Sequence, residues 1–387
     1  MKRILVSAEM FGYGPVTTLL NVMKEFPKDS NLQFDFIGNG VALEQAKMSN
    51  FFKEYYVCNN YDINSLNHFK NIFSSYDALI SSENPVCAIF GMENNIKKVY
   101  YIDNLVWMWD TIDSRLNNVT RFFISETMPC KENFNRIGKN IKHPVFVGPI
   151  RDIENTKMSK PLEKKVIINI GGASSYLLDK NLIVRFYNNL LNMILETPNF
   201  IDRFEKIIIC GGSDVISNIE INNKSSKILI KTLSNQDYLE ELETASHCIM
   251  ASGLGNYIET LGKNKEILYL PSINYSQFLQ FKYYQKLNLG FKLMNWNIFD
   301  FFSDVPELLD EESGVNLVVE NIKKFLKIQP KFIVQKEIAK YLNSSQKKYY
   351  EKRKNIINSY KKNSSKEVAN NIYEDLLKED DNDEGTK

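Results

Sequence analysis

Two kinds of residue in this 387-residue sequence could do chemistry together: small residues closing apolar runs, and single carboxylates just beyond them. Gly171, Gly172 and Ser174 follow the run "KKVIINI" and open a helical pattern. Their amides would face whatever lies at the strand end, an arrangement that suits an anion; a tight turn would equally demand glycine there. Ser252, Gly253, Gly255 and Asn256 form a second such turn, and Glu259 falls one turn into the helix that follows. A carboxylate at that place can accept both hydroxyls of a ribose, or it can simply favour the helix dipole. Gln277, after Pro271, and Gln280 each offer a donor and an acceptor to a sugar's hydroxyls. The spacing is neither the Walker pattern nor G-x-G-x-x-G, which weighs against kinase and NAD chemistry.

The N-terminal half carries its own candidates. "AEMFGYGPVTTLL" places Glu9, Gly12 and Gly14 in the first strand-to-helix loop. "YYIDNLVWMWDTID" puts Asp103 at a strand end, followed by Trp107, Trp109 and Asp110. Tryptophans spaced i,i+2 either pack into a core or form a flat wall for an acceptor. A group transfer needs a general base, and Asp103 is the first candidate, with Glu9, Glu83 and Asp110 behind it. None of the three histidines stands in the first loop: His68 reads as helix surface, His143 precedes a strand, and His247 begins one. No D-x-D motif closes a strand, so no metal site is expected.

The elements that must hold these residues alternate at a regular pitch. Strand runs at 3–9, 34–40, 76–82, 98–105, 121–127 and 143–150 are separated by amphipathic stretches such as 14–26. The pattern restarts with 164–175, 205–214, 227–235, 247–255 and 265–271, with a helix over 179–196. Alternation of this kind predicts βαβ units and parallel sheets, with ligands at the carboxyl ends of the strands. The expected layout is an acceptor-binding Rossmann-like domain over 1–150 and a nucleotide-binding one over 151–330. Helices over 331–377 would cross back to the first domain, followed by a disordered acidic tail over 378–387.

Composition narrows the classes. Hydrophobic content of 43% with 25% charged residues fits a globular chain, and a net charge of +1 gives no reason to expect nucleic acid. The five cysteines (Cys58, Cys87, Cys130, Cys210, Cys248) are scattered, which suits buried thiols rather than disulfides or zinc. With neither a signal-peptide core nor an apolar run long enough for a transmembrane segment, a cytoplasmic location is expected. The composition is silent on oligomeric state.

The order GGAS, CGG, SGLGNYIE and then P-x-x-x-x-x-Q resembles the C-terminal half of GT-B glycosyltransferases. It is most similar to the peptidoglycan N-acetylglucosaminyltransferases and the wider UDP-glycosyltransferase group. The resemblance covers about 150–330 in motif and the N-terminal half only in layout. It implies an α/β fold of two doubly wound Rossmann-like domains facing across a cleft. The implied activity is metal-independent, inverting transfer from a UDP-sugar to a small-molecule acceptor, with no cofactor. It assigns the ribose to Glu259 and the diphosphate to Ser252 through Gly255 with Gly171 and Gly172; Ser174, Gly211, Gly212 and Asn256 are further donor-binding candidates. It assigns the sugar to Gln277 and the base to backbone around Leu233, between Thr232 and Ser234. Gly12, Gly14, Trp107 and Trp109 would meet the acceptor. The chain departs from the family in offering only Ser252 and Asn256 where a basic or hydroxyl residue usually contacts phosphate. "FGYGPVTTL" with "VYYIDNLVWMW" also resembles the synthases that attach glucuronate to cytosine in nucleoside antibiotic pathways. Other readings are an epimerase or hydrolase of UDP-sugars on the same fold, and a non-catalytic two-lobed binding protein.

Overall fold

The computed structural model describes residues 1–151, 163–173, 175, 177–299, 305–307 and 309–378. Most of the expected linker, Ser174 and the acidic tail beyond Lys378 lie outside them. The chain divides into two compact units. The first comprises Met1–Met10, Gly14–Glu154 and Tyr360–Lys387, the second Phe11–Tyr13 and Asn155–Ser359.

The strands of the first unit are β1 (Lys2–Ala8), β2 (Leu32–Gly38), β3 (Tyr55–Val57), β4 (Ala78–Ser82), β5 (Lys98–Asp103), β6 (Arg121–Ser125) and β7 (Pro144–Val147). Its helices before the crossover are α1 (Gly14–Met23), α2 (Gly40–Ser49), α3 (Ile63–Asn67), α4 (Lys70–Phe73), α5 (Pro85–Glu93) and α6 (Lys131–Ile137). All neighbouring strands are parallel, in the order β3-β2-β1-β4-β5-β6-β7. Strands covered on both faces are mostly apolar, and β4 and most of β1 are buried residue by residue, with small serines at or near their carboxyl ends. Local chemistry sets the helix starts: Asn84 accepts the Cys87 N–H at 2.9 Å and Pro85 sits at the first position of α5.

The second unit contains β8 (Glu163–Asn169), β9 (Lys206–Cys210), β10 (Ile228–Lys231), β11 (Ala245–Met250), β12 (Glu266–Tyr269) and β13 (Lys292–Leu293). Its helices are α7 (Lys180–Leu195), α8 (Phe200–Arg203), α9 (Ser213–Ile216), α10 (Asn235–Thr244), α11 (Leu254–Leu261), α12 (Tyr275–Leu287), α13 (Glu311–Ile328), α14 (Lys331–Leu342) and α15 (Tyr350–Ser359). This sheet is also parallel, in the order β10-β9-β8-β11-β12-β13. Phe186, Trp296 and Phe325 are buried together on one side of it.

The last helix, α16 (Ser364–Leu377), belongs to the first unit, whereas α14 and α15 belong to the second. Val368, Ala369, Ile372 and Leu376 of α16 join Val16, Leu19 and Leu20 of α1 in one core. In both sheets the strand order reverses beside the first strand, between β1 and β4 and between β8 and β11. Such switch points are where open α/β sheets bind ligands.

Candidate functional site

In the second unit the switch point is built from two turns. Asn169 ends β8, and its Oδ1 accepts the Gly171 N–H at 2.8 Å, which folds the chain back at once. Gly171 then takes a left-handed φ of +71°, a conformation glycine adopts without strain. Gly211 is required for a different reason: a Cβ there would lie 2.5 Å from Ile170 Cγ1 and 2.8 Å from the Gly171 carbonyl. The Gly212 N–H donates to that same carbonyl at 3.0 Å, so the β8 and β9 turns are stitched together.

The second turn follows β11. Helices α7, α10, α12 and α13 each have a side-chain cap, from Asp179, Ser234, Asn274 and Asp310. Helix α11 starts instead at Gly253, which has no side chain to give, and a side chain placed there would meet nothing within 4 Å. Its first amides therefore have no side-chain cap, and the turn lies close to that of Gly171, where Ala251 is 3.6 Å from a Cβ placed at Gly171. Gly255 sits in the first turn of α11, and Glu259 is half-buried two positions before its end. Burial first, and then the charge of Glu259, push the Tyr238 hydroxyl far above its ordinary pKa.

Other side chains at this end are engaged within the protein. Asn256 Oδ1 accepts from Asn169 Nδ2 and from the Tyr238 hydroxyl, both at 3.0 Å, while its Nδ2 donates to the Ala251 carbonyl at 2.8 Å. Asn256 therefore ties β8, α10 and the β11 turn into one frame. Ser252 is fully buried and its hydroxyl donates to the Gln277 carbonyl at 3.3 Å. Gln277 Oε1 accepts the Ile273 N–H at 3.1 Å. Leu233 is buried in the loop after β10, Gly172 is buried, and Gly212 precedes the short α9.

In the first unit the sheet order places three carboxylates on adjacent strand ends: Glu9 after β1, Glu83 after β4 and Asp103 closing β5. All three are buried, and each raises the pKa of Tyr101, though less than its burial does. Asp103 is held at both oxygens, by the Leu105 N–H at 2.6 Å and by the Trp109 indole N–H at 3.0 Å. Burial pushes its carboxyl up to about 6, against the pull of those donors. Glu83 stands at a left-handed φ of +54° and accepts from Asn104 Nδ2. Asn104 in turn reaches Thr18 Oγ1 at 3.0 Å, which donates to the Gly14 carbonyl. Gly12 also has a left-handed φ, of +69°.

The tryptophans divide the two readings given above. Trp109 is an orienting donor to Asp103, whereas Trp107 packs against the core, its N–H buried without a partner. Asp110 is exposed, and its carboxylate accepts from the Thr111 hydroxyl at 3.4 Å. His68 and His143 are exposed. His247 stacks edge-on against Phe204 and Tyr341, and burial lowers its pKa to about 4.

The UDP complex of UGT89C1 from Arabidopsis thaliana superposes with a TM-score of 0.50, over 92% of this chain and 99% of the other, at 11% identity. The fold is GT-B. MurG from Acinetobacter baumannii is matched over 97% of this chain and all of the other, at 13% identity and a TM-score of 0.45. UGT2 from Phytolacca americana is matched at 10% identity and 0.47, over 96% and 99%. At these identities the likeness bears on the fold alone. No protein-family profile matches the chain, and no curated protein matches it.

Three residues of this GT-B chain escaped the sequence reading. Asn169 had a signal, since Asn two residues before a glycine is an Asx-turn pattern. Tyr238 and Asn104 had none, because their roles depend on partners 18 and 86 residues away. Among the described residues no group of acids, histidines or cysteines is arranged to hold a metal, and no helix is long and apolar enough to cross a membrane.

Proposed function

We propose that the chain is a glycosyltransferase that moves a sugar from a UDP-sugar to a small-molecule acceptor by inverting, metal-independent transfer. The observation that carries this reading is the uncapped N-terminus of α11 beside the Gly171 turn at the switch point, with Glu259 on the same helix. The diphosphate would be held by backbone amides and the α11 dipole, and the ribose hydroxyls by the Glu259 carboxylate. This division suits a turn whose polar side chains, Ser252 and Asn256, are already engaged.

The first unit would hold the acceptor and supply the base. Asp103, buried and with a carboxyl near 6, is mostly ionised at neutral pH yet basic enough to take a proton from an acceptor hydroxyl. Inversion follows if that deprotonated oxygen attacks the anomeric carbon as UDP leaves. Mixing the protein with a panel of UDP-sugars and candidate acceptors should release UDP only when an acceptor is present, and equally with EDTA. Release without any acceptor would identify a hydrolase, and loss of turnover in EDTA would contradict metal independence.

A further inference from the structure

Three buried carboxylates share the carboxyl end of the first sheet. Glu9, Glu83 and Asp103 stand on the adjacent ends of β1, β4 and β5. The Glu9 N–H donates to the Ser82 carbonyl at 3.1 Å, and the Glu83 N–H to the Ile102 carbonyl at 2.9 Å, which fixes the three ends side by side. Neighbouring strands lie about 5 Å apart, so the carboxylates occupy one small region. Tyr101, buried among them, meets the charge of all three. Arg151 brings a cation to this end, donating to Thr18 Oγ1 at 2.9 Å and to the Gly14 carbonyl at 3.2 Å. One guanidinium offsets one carboxylate, not three.

Beside them, two fully buried side chains have polar atoms without hydrogen-bond partners: Asn60 Oδ1 and Ser82 Oγ. The direction of the Asn60 amide is fixed. Its Nδ2 lies 2.9 Å from the Ala8 carbonyl and 3.3 Å from the Ile37 carbonyl, and a carbonyl can only accept. The orphan atom is therefore the amide oxygen, which also only accepts. The Asn60 carbonyl takes a hydrogen bond from Asn84 Nδ2 at 3.0 Å. Asn60 is thus clamped between the residue before Glu9 and the residue after Glu83, and Ser82 directly precedes Glu83. A buried orphan acceptor lowers stability unless something outside the chain supplies a donor. Carboxylate and amide oxygens alike call for donors, and the carboxylates for positive charge. A protonated primary amine brings both, with three N–H donors on one charge. A metal ion needs its ligands closer together, and among the described residues no group of acids is arranged to hold one.

We propose that the acceptor is a hydroxyl compound carrying a protonated primary amine, which Glu9, Glu83 and Asn60 Oδ1 hold while the hydroxyl meets Asp103. The inference rests on the glycosyltransferase reading above and narrows its small-molecule acceptor to amines. A neutral acceptor of the same shape leaves Asn60 Oδ1 unsatisfied and the surplus negative charge uncompensated.

Ligand-observed NMR titrations with two matched pairs test this: tyramine against para-ethylphenol, and glucosamine against glucose. The readout is the Kd of each neutral compound divided by that of its amine. In wild type the amine should bind about fivefold more tightly or better, and the preference should shrink as NaCl is raised. Glu9→Gln and Glu83→Gln should each bring the preference down to about twofold or less, with the Kd of the neutral compound little changed. The salt series needs no variant, so it decides the matter even where a substituted chain fails to fold. Equal binding within both pairs overturns the inference. So does a preference that survives both substitutions or high salt, and so does displacement of the amine by equimolar Mg²⁺. A preference for amines in wild type that binds no UDP would support the cation site and contradict the glycosyltransferase reading, so the two failures are distinct.

Discussion

At the scale of single residues, Asp103 and Trp109 act as a unit. The indole N–H stabilises the charged carboxylate, while burial opposes it and wins. If Asp103 is the base, transfer should rise with pH along an acidic limb near 6. Asp103→Asn should leave UDP binding intact and slow transfer by about 10²- to 10⁴-fold; turnover that survives would move the base elsewhere. Trp109→Phe removes a donor to the carboxylate, so the acidic limb should shift to higher pH, and a pH–rate profile reads that directly. Asp103 and Glu9 were legible from sequence because they close apolar runs. The role of Trp109 was not, since i,i+2 spacing says which side a ring lies on and nothing of what its N–H meets. The same holds for Asn256: a small polar residue at a helix start looks like a ligand contact until its three partners are seen.

At the scale of elements, α10 is fastened to its sheet by charge. Lys165 of β8, Lys206 of β9 and Lys231 of β10 converge on Glu241, at 2.8, 2.9 and 3.4 Å. Burial works against the Glu241 carboxylate, but hydrogen bonds and charge from Lys165 and Lys206 outweigh it and hold the carboxyl at about 2. A depressed folded-state pKa contributes stability above the unfolded value, near 4.5, that disappears as pH falls towards 2. Wild type should therefore lose stability faster than Glu241→Gln over that window in acid titrations of urea unfolding. The turns set a second constraint. Gly211→Ala forces a methyl against Ile170 and the Gly171 carbonyl, and should cost about 1–3 kcal/mol in the same assay. The long buried strands were legible as apolar runs bounded by glycine. The edge strands β3 and β13, three and two residues long, carry too little pattern to be read. The "HCIMASGLG" run was read as a strand over 247–255 closing in a glycine turn, whereas β11 ends at Met250 and α11 already starts at Leu254. In the proposed reading, the N-terminal amides of that helix hold the diphosphate.

At the scale of the whole molecule, the N-terminal unit is completed by the far end of the chain. Helix α16 packs on α1, and Arg121 grips Asp375 with two hydrogen bonds at 2.5 and 2.8 Å. Removing residues 360–387 would strip that core face and leave Arg121 without its partner. The first unit should lose about 3 kcal/mol or more, seen as an earlier phase in denaturant unfolding. The doubling of α/β units was legible from the restart of the strand pattern after Pro161. That only α16 returns to the first unit was not, because α14, α15 and α16 have similar amphipathic sequences and differ in which core they meet. The central claim is that the β8–β11 switch point binds a uridine diphosphate through α11 and Glu259. Calorimetry with UDP tests it most directly: wild type should bind one equivalent, and Glu259→Ala should bind about 1–3 kcal/mol more weakly through lost charge-assisted hydrogen bonds. Unchanged UDP affinity in Glu259→Ala, or no binding by wild type, would contradict it.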